Sequence, residues 1–188
     1  MTKQALILID IQNDYFPSFE GSKMPLPAMD AASDKAAALL SAARENGVFV
    51  VHVKHVMASN AAPFFHPDTA GAELHDSVAP LANETVVEKA RPNSFVGTEL
   101  ESILRKAGVS RLIICGAMSQ MCVDASARAA VDLGFEISVA HDACAAANVA
   151  FDGVSAPAEM VHASIMAPLA ASYCKVVSSE VCIGLLGA

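Results

Sequence analysis

Three times along this chain an apolar segment with helical spacing runs into a glycine, and a short continuous apolar run follows. Ala36, Leu39, Leu40 and Ala43 are spaced i, i+3, i+4, i+7 and stop at Gly47, before the run Val48–Val53. Leu100, Ile103, Leu104 and Ala107 repeat that spacing and stop at Gly108, before Leu112–Cys115. A third helix, predicted from Met121, ends at Gly134, before Ile137–Ala140. Glycine closes a helix because the residue after the last turn commonly takes a left-handed conformation that costs glycine nothing. A run without polar alternation is buried on both faces, which is the environment of a parallel sheet. Parallel neighbours need helical crossovers, and those crossovers are right-handed. The pattern therefore predicts a doubly wound, three-layer α/β/α domain with about six mainly parallel strands. Ala5–Ile9, Thr85–Glu88 and Lys175–Val177 complete that set. Thr98-Glu99-Leu100-Glu101 reads as a capping box opening the second helix.

A length of 188 residues suits one domain. Hydrophobic residues make up 54%, so apolar surface buried between subunits is expected. No apolar run approaches the ~20 residues needed to span a bilayer. Ala5–Ile9 is too short for a signal-peptide core and is followed by Asp10 with no cleavage pattern, so a soluble, cytoplasmic protein is expected. The net charge of −8, with no cluster of Lys and Arg, argues against a nucleic-acid partner. Five cysteines without CxxC spacing read as reduced thiols. Residues 57–83, with Pro63, Pro67, Gly71 and Pro80, are too long for a plain connector and are expected to form a lid-like loop.

Ligands of a parallel sheet sit beyond the carboxyl ends of its strands. Asp10, Lys89 and Cys122 each follow a strand there. Cys122 is predicted near the first turn of a helix, where unpaired N–H groups and the helix dipole favour a thiolate and can hold an oxyanion. Each residue alone has a structural reading: a buried small thiol, a capping carboxylate, a solvated strand end. Together they supply a nucleophile, a base and a positive charge. His52 alternates with apolar residues and reads as a hydrogen-bonded core histidine. His141-Asp142 offers a second arrangement, Cys-His-Asp, at the end of the fifth strand, and His162 reads as a packing contact.

Four separated segments carry a resemblance over nearly the whole chain: Leu8–Phe16, Glu88–Thr98, Ile114–Val123, and Ala127–Phe135 with Asp142-Ala143. In these the sequence resembles the isochorismatase-like cysteine hydrolases, relatives of nicotinamidase and N-carbamoylsarcosine amidase. The resemblance implies a Rossmann-like doubly wound fold, an Asp-Lys-Cys triad at Asp10, Lys89 and Cys122, and a cis peptide at Ala117–Met118. It implies an oxyanion held by the backbone N–H groups of Met118 and Cys122, and a homo-oligomer, dimer or tetramer. Ser119 and Ser126 replace the family's usual threonines but keep the hydroxyl. Metal-dependent relatives carry Asp-x-His after the second strand, where this chain reads Val53-Lys54-His55, so no zinc and no other cofactor is expected. The expected chemistry is hydrolysis of a small amide or related C–N bond through a thioester. Vinyl-ether hydrolysis of the isochorismatase type and a non-catalytic binding protein are the competing readings. Tyr15, Phe16, Phe64, Phe65 and Phe95 are expected to line a pocket for a small neutral substrate, with Gln12, Asn13, Asn93 and Ser119 orienting it. No membrane partner is expected, and the alanine-rich segments 143–150 and 167–171 suit close packing between subunits.

Overall fold

A computed structural model describes residues 3–57, 59 and 62–186. Among these, six strands form one parallel sheet in the order β3-β2-β1-β4-β5-β8. The strands are β1 (Lys3–Ile9), β2 (Phe49–His55), β3 (Thr85–Lys89), β4 (Val109–Ala117), β5 (Glu136–Ala145) and β8 (Lys175–Val177). β1 lies at the centre, and its residues Ala5 to Ile9 are all buried, as their unbroken apolar run requires. Helix α1 (Met29–Glu45) and the terminal helix α5 (Ser179–Leu185) pack together on one face. Helices α2 (Leu100–Lys106), α3 (Asp124–Asp132) and α4 (Ala158–Ser172) cover the other. α1 turns inward the stripe of Ala36, Leu39, Leu40 and Ala43 that its spacing predicts. An antiparallel hairpin of β6 (Val149–Phe151) and β7 (Val154–Ala156) stands outside the sheet.

The chain runs from β1 outward to β2 and β3, then returns to β4 on the other side of β1. Strand order therefore reverses between β1 and β4, and in doubly wound sheets ligands bind beyond the carboxyl ends of the strands at such a point. One glycine makes the crossing there possible. Gly116 pairs with Ile9, has φ +125°, and a Cβ at this position would overlap the Ile9 carbonyl. β1 and β4 can approach this closely only without a side chain.

Two local expectations are corrected. Thr98 does not open a capping box: its hydroxyl donates to Ser94 O and accepts from Leu100 N, while Glu101 reaches forward to Arg105. The helix predicted from Met121 begins instead as a π-turn over Ser119–Val123, and α3 proper starts at Asp124. The extra residue in that turn lets the chain leave β4 and still present Cys122 inward.

The described part of the 57–83 segment, which excludes residues 58, 60 and 61, is folded onto the turn after β1. Asn13 N donates to Glu73 O, His75 N donates to Ile11 O, and the rings of Phe16 and His75 stack 3.6 Å apart. Asp14 anchors it further, accepting from Phe65 N at 2.8 Å. Gly71 lies against that carboxylate so closely that a Cβ would overlap it.

Candidate active site

Each group of the candidate site is delivered by a strand end. Asp10 follows β1 with φ +52°, a left-handed turn that costs a non-glycine residue about 1–2 kcal/mol. Its N–H donates to Val53 O at 2.9 Å. β2 and β3 run in register, so His55 and Lys89 end side by side. Cys122 arrives from the far side of β1, in the π-turn after β4, and the Ala117–Met118 peptide that leads into this turn is cis.

The Lys89 ammonium lies 2.8 Å from Asp10 Oδ2, with both side chains at 0% exposure. A buried pair is costly unless its remaining hydrogen-bonding capacity is met. Lys89 Nζ also donates to Arg91 O and Pro92 O, each at 3.1 Å, and lies 3.3 Å from His55 Nδ1. His55 Nδ1 is in turn 3.8 Å from Asp10 Oδ2 and 4.0 Å from Cys122 Sγ. The four side chains thus form one closed cluster.

Burial dominates its electrostatics. It raises Asp10 above the usual carboxylate range against the opposing pull of Lys89. It also pushes the Cys122 thiol up, reinforced by the charge of Asp10 and countered by Lys89. This corrects the expectation of a thiolate favoured by a helix terminus. Cys122 is 2% exposed and its sulfur lies within 4.8 Å of an Asp10 carboxylate oxygen, so the resting form is a thiol beside a carboxylate. Burial, then Lys89, brings His55 down to about 4, so its imidazole is neutral at ordinary pH. An ammonium only donates, so Nδ1 accepts from Lys89 and the proton resides on Nε2.

Asp10, His55 and Cys122 also bring potential metal-ligand atoms within 4.8 Å of one another. The cluster does not suit a resident cation, because the Lys89 ammonium already sits against two of the three. A divalent ion there would meet a like charge in a buried setting, where repulsion is poorly screened.

Of the aromatic residues expected around the pocket, three gather at the cluster. Tyr15 lies 4.6 Å from Phe65 and 5.8 Å from Phe64, and Phe65 faces His55 at 6.0 Å between ring centroids. Burial, then the charges of Asp10, Cys122 and Asp14, holds the Tyr15 phenol well above its ordinary value, which keeps it protonated. Phe16 and Phe95 are engaged elsewhere, stacked on His75 and on Phe135. The polar residues expected to orient substrate are committed to protein groups. Gln12 Nε2 donates to His55 O and Ala72 O, and its Oε1 accepts from His55 N. Asn13 donates to Ala70 O, and Asn93 accepts from Phe95 N. Ser119 Oγ contacts Ala145 O at 3.2 Å and His162 Nδ1 at 2.9 Å. Ser126 ties the loop after β3 to α3 by accepting from Ser94 N.

His52 and His162 have structural partners. His52 is fully buried and bonded to Glu84. In the His141-Asp142 pair, Asp142 accepts from Ser179 N and Oγ at the start of α5, which leaves it no role in a Cys-His-Asp arrangement. His55 is the site residue that sequence reasoning missed. Its signal was alternation: Val51, Val53 and His55 share one face of β2, and a polar residue closing a buried face at the catalytic edge has a reason to be there.

The Isochorismatase domain family matches residues 4–178. The isochorismatase family protein YddQ of Bacillus subtilis is 47% identical over 176 residues, covering 94% of this chain and 96% of that one. The crystal structure of an isochorismatase hydrolase from Oleispira antarctica superposes with a TM-score of 0.94 at 45% identity, covering 97% of each chain. The maleamate amidohydrolase of Pseudomonas putida is 31% identical over 153 residues, 74% of this chain and 71% of the enzyme. The chain belongs to the isochorismatase family of hydrolases. No helix among its described residues is long and apolar enough to cross a membrane.

Proposed function

We propose that this protein hydrolyses a small, largely neutral amide or related C–N bond through a covalent thioester on Cys122. The observation that carries the reading is the buried Asp10–Lys89 pair, 2.8 Å apart, with the Cys122 sulfur within 4.8 Å of the carboxylate at the topological switch of the sheet. The amidohydrolase relative adds support for C–N chemistry. The Asp10 carboxylate takes the thiol proton as sulfur adds to the substrate carbonyl, and the N–H groups of Met118 and Cys122 receive the oxyanion. Protonated Asp10 then gives its proton to the departing nitrogen as the C–N bond breaks. Asp10 next takes a proton from water, which attacks the thioester and returns the thiol. Lys89 stabilises negative charge throughout. The Tyr15, Phe64 and Phe65 rings supply an apolar wall, which suits a substrate without a strongly charged tail. The test is release of ammonia or amine from a panel of small amides and ureido compounds, with mass spectrometry of a trapped Cys122 adduct. Isochorismate belongs in the same panel: turnover of it alone, without an adduct, would replace thioester chemistry with acid-catalysed vinyl-ether hydrolysis.

His55 is read as a positioning residue. When Asp10 is protonated in mid-reaction, Lys89 loses its counter-ion, and His55 Nδ1 with the two carbonyls keeps the ammonium in place. His55→Leu is expected to lower kcat by roughly 10–100-fold with a smaller change in KM, the size of effect that misplacing a catalytic group produces. His55→Gln, which keeps an acceptor, should recover part of the loss. Equal kcat and pH profiles in wild type and both variants would remove His55 from the mechanism.

A further inference from the structure

The proposed mechanism gives no role to two buried polar groups at the site. Tyr15 is 1% exposed, and among the described residues its phenol oxygen has no hydrogen-bond partner. His55 is 6% exposed, and its Nε2, which carries the imidazole proton because Nδ1 accepts from Lys89, is likewise unpartnered among the described residues. Buried polar groups in folded proteins are nearly always hydrogen-bonded, and one that is not calls for an explanation. Phenylalanine in place of Tyr15 would keep the ring contacts to Phe64 and Phe65 and leave no orphaned oxygen. The hydroxyl is therefore held in an apolar setting against its own desolvation cost.

Both rings pack on Phe65, with centroids 4.6 Å and 6.0 Å from it. Both also lie beside the reacting groups: His55 Nδ1 is 4.0 Å from the Cys122 sulfur, and the charges of Asp10 and Cys122 act on the Tyr15 phenol. A protonated phenol and an imidazole N–H are donors, and what they call for is an acceptor. The cation within reach decides the charge of that acceptor. Lys89 Nζ has three protons and already four partners: Asp10 Oδ2, His55 Nδ1, Arg91 O and Pro92 O. It has no proton to spare for a second carboxylate, and an unpaired anion among these aromatic rings would be buried at great cost. A neutral carbonyl oxygen, with two lone pairs, suits two neutral donors.

We infer that Tyr15 Oη and His55 Nε2 donate to a second carbonyl of the substrate, one that is not cleaved, so that the site selects neutral amides bearing a further amide or ureido carbonyl. The inference deepens the proposed C–N hydrolysis and rests on it for the identity of the bond that breaks. A site built to hydrogen-bond one group of its substrate rejects an analogue without that group, because its own donors are then left unpaired.

Succinamide and 4-methylpentanamide test it, since an isopropyl group in the second replaces one carboxamide of the first at nearly the same size. Binding is followed by NMR titration of the full-length Cys122→Ala protein, so that turnover does not enter. Succinamide should bind at least ~10-fold more tightly, the preference expected from two neutral hydrogen bonds. Tyr15→Phe in the same background should lower that preference by roughly 5-fold, the size of one such bond. This variant removes a single oxygen, so circular dichroism should be unchanged. The His55 Nε2 proton resonance should move downfield with succinamide and stay in place with 4-methylpentanamide. Equal binding of the two amides, binding of neither, or a preference that survives Tyr15→Phe would overturn the proposal. An unmoved His55 resonance would overturn the second donor. A preference present in Cys122→Ala, with wild type hydrolysing no amide, would uphold this recognition and overturn the proposed reaction instead.

Discussion

Cys122→Ala should abolish turnover, lowering kcat on the order of 10⁴-fold or more, while the protein remains folded with a stability change of about 1 kcal/mol. The two effects separate because the thiol is the proposed nucleophile without being a structural support. Its removal leaves the Asp10–Lys89 ion pair and both carbonyl contacts of Lys89 in place. Asp10→Asn should behave differently. It removes the base and also strips the buried ammonium of its counter-charge, so loss of activity should come with about 3–5 kcal/mol of destabilisation. In the wild type, the acid limb of kcat/KM should follow Asp10. Burial raises this carboxyl, so activity should appear as pH rises through a value above the ordinary carboxylate pKa of about 3.9. Steady-state rates between pH 4 and 9, with thermal unfolding of both variants, check these points together. A Cys122→Ala enzyme that retained even a hundredth of the wild-type rate would end the covalent reading.

The sheet was legible because burial on both faces leaves a strong mark: β1, β2 and β4 are unbroken apolar runs, and glycine stops precede three strands. The cluster was legible for the same reason. A carboxylate in Leu6-Ile7-Leu8-Ile9-Asp10 has to be accounted for by a partner, and the topology brings Lys89 to it. The π-turn at Cys122 was not, because one inserted residue barely alters the spacing of Val123, Ala127 and Ala130 further along. Gln12, Asn13, Asn93 and Ser119 read as free polar groups at a ligand edge. Their partners are main-chain atoms, or for Ser119 also His162, mostly distant in sequence, and no local pattern announces those. The β6–β7 hairpin did carry a local signal in Asp152-Gly153 between apolar residues. It was obscured by an alanine-rich stretch that reads equally well as helix. His55 was read only against a metal motif that it lacks, which hid its place beside Lys89.

At the opposite edge of the sheet from the site, replacing one carboxylate should cost much of the fold's stability and none of its chemistry. Glu84 enters β3 and accepts from Arg44 Nε and Nη2 at 2.8 Å each, from Leu81 N at 2.8 Å, and bonds His52 Nε2 at 3.0 Å. It thereby joins the end of α1, the middle of β2 and the start of β3. The Arg44 guanidinium brings the carboxyl down to about 2, against the opposing effect of burial and with help from Leu81 N and His52. A folded pKa below the unfolded value of about 4.3 means the stabilisation is fully present above that pH and is lost as pH falls toward 2. His52 acts in the same direction. Burial holds it below its usual 6.5, so its neutral form favours the fold above that pH and the benefit declines with acidification. Glu84→Gln keeps the shape but leaves Arg44 without a counter-charge and His52 with a poorer partner. Arg44 is partly exposed, so the expected cost lies near the low end for broken buried pairs, about 3 kcal/mol, or roughly 6–12 °C in Tm at pH 7. The gap should narrow as pH approaches 2, while kcat/KM per folded molecule stays at the wild-type value, since Lys89 lies at the other end of the same strand. A gap that is constant with pH would assign the loss to packing and would remove the charge network from the account of this fold's stability.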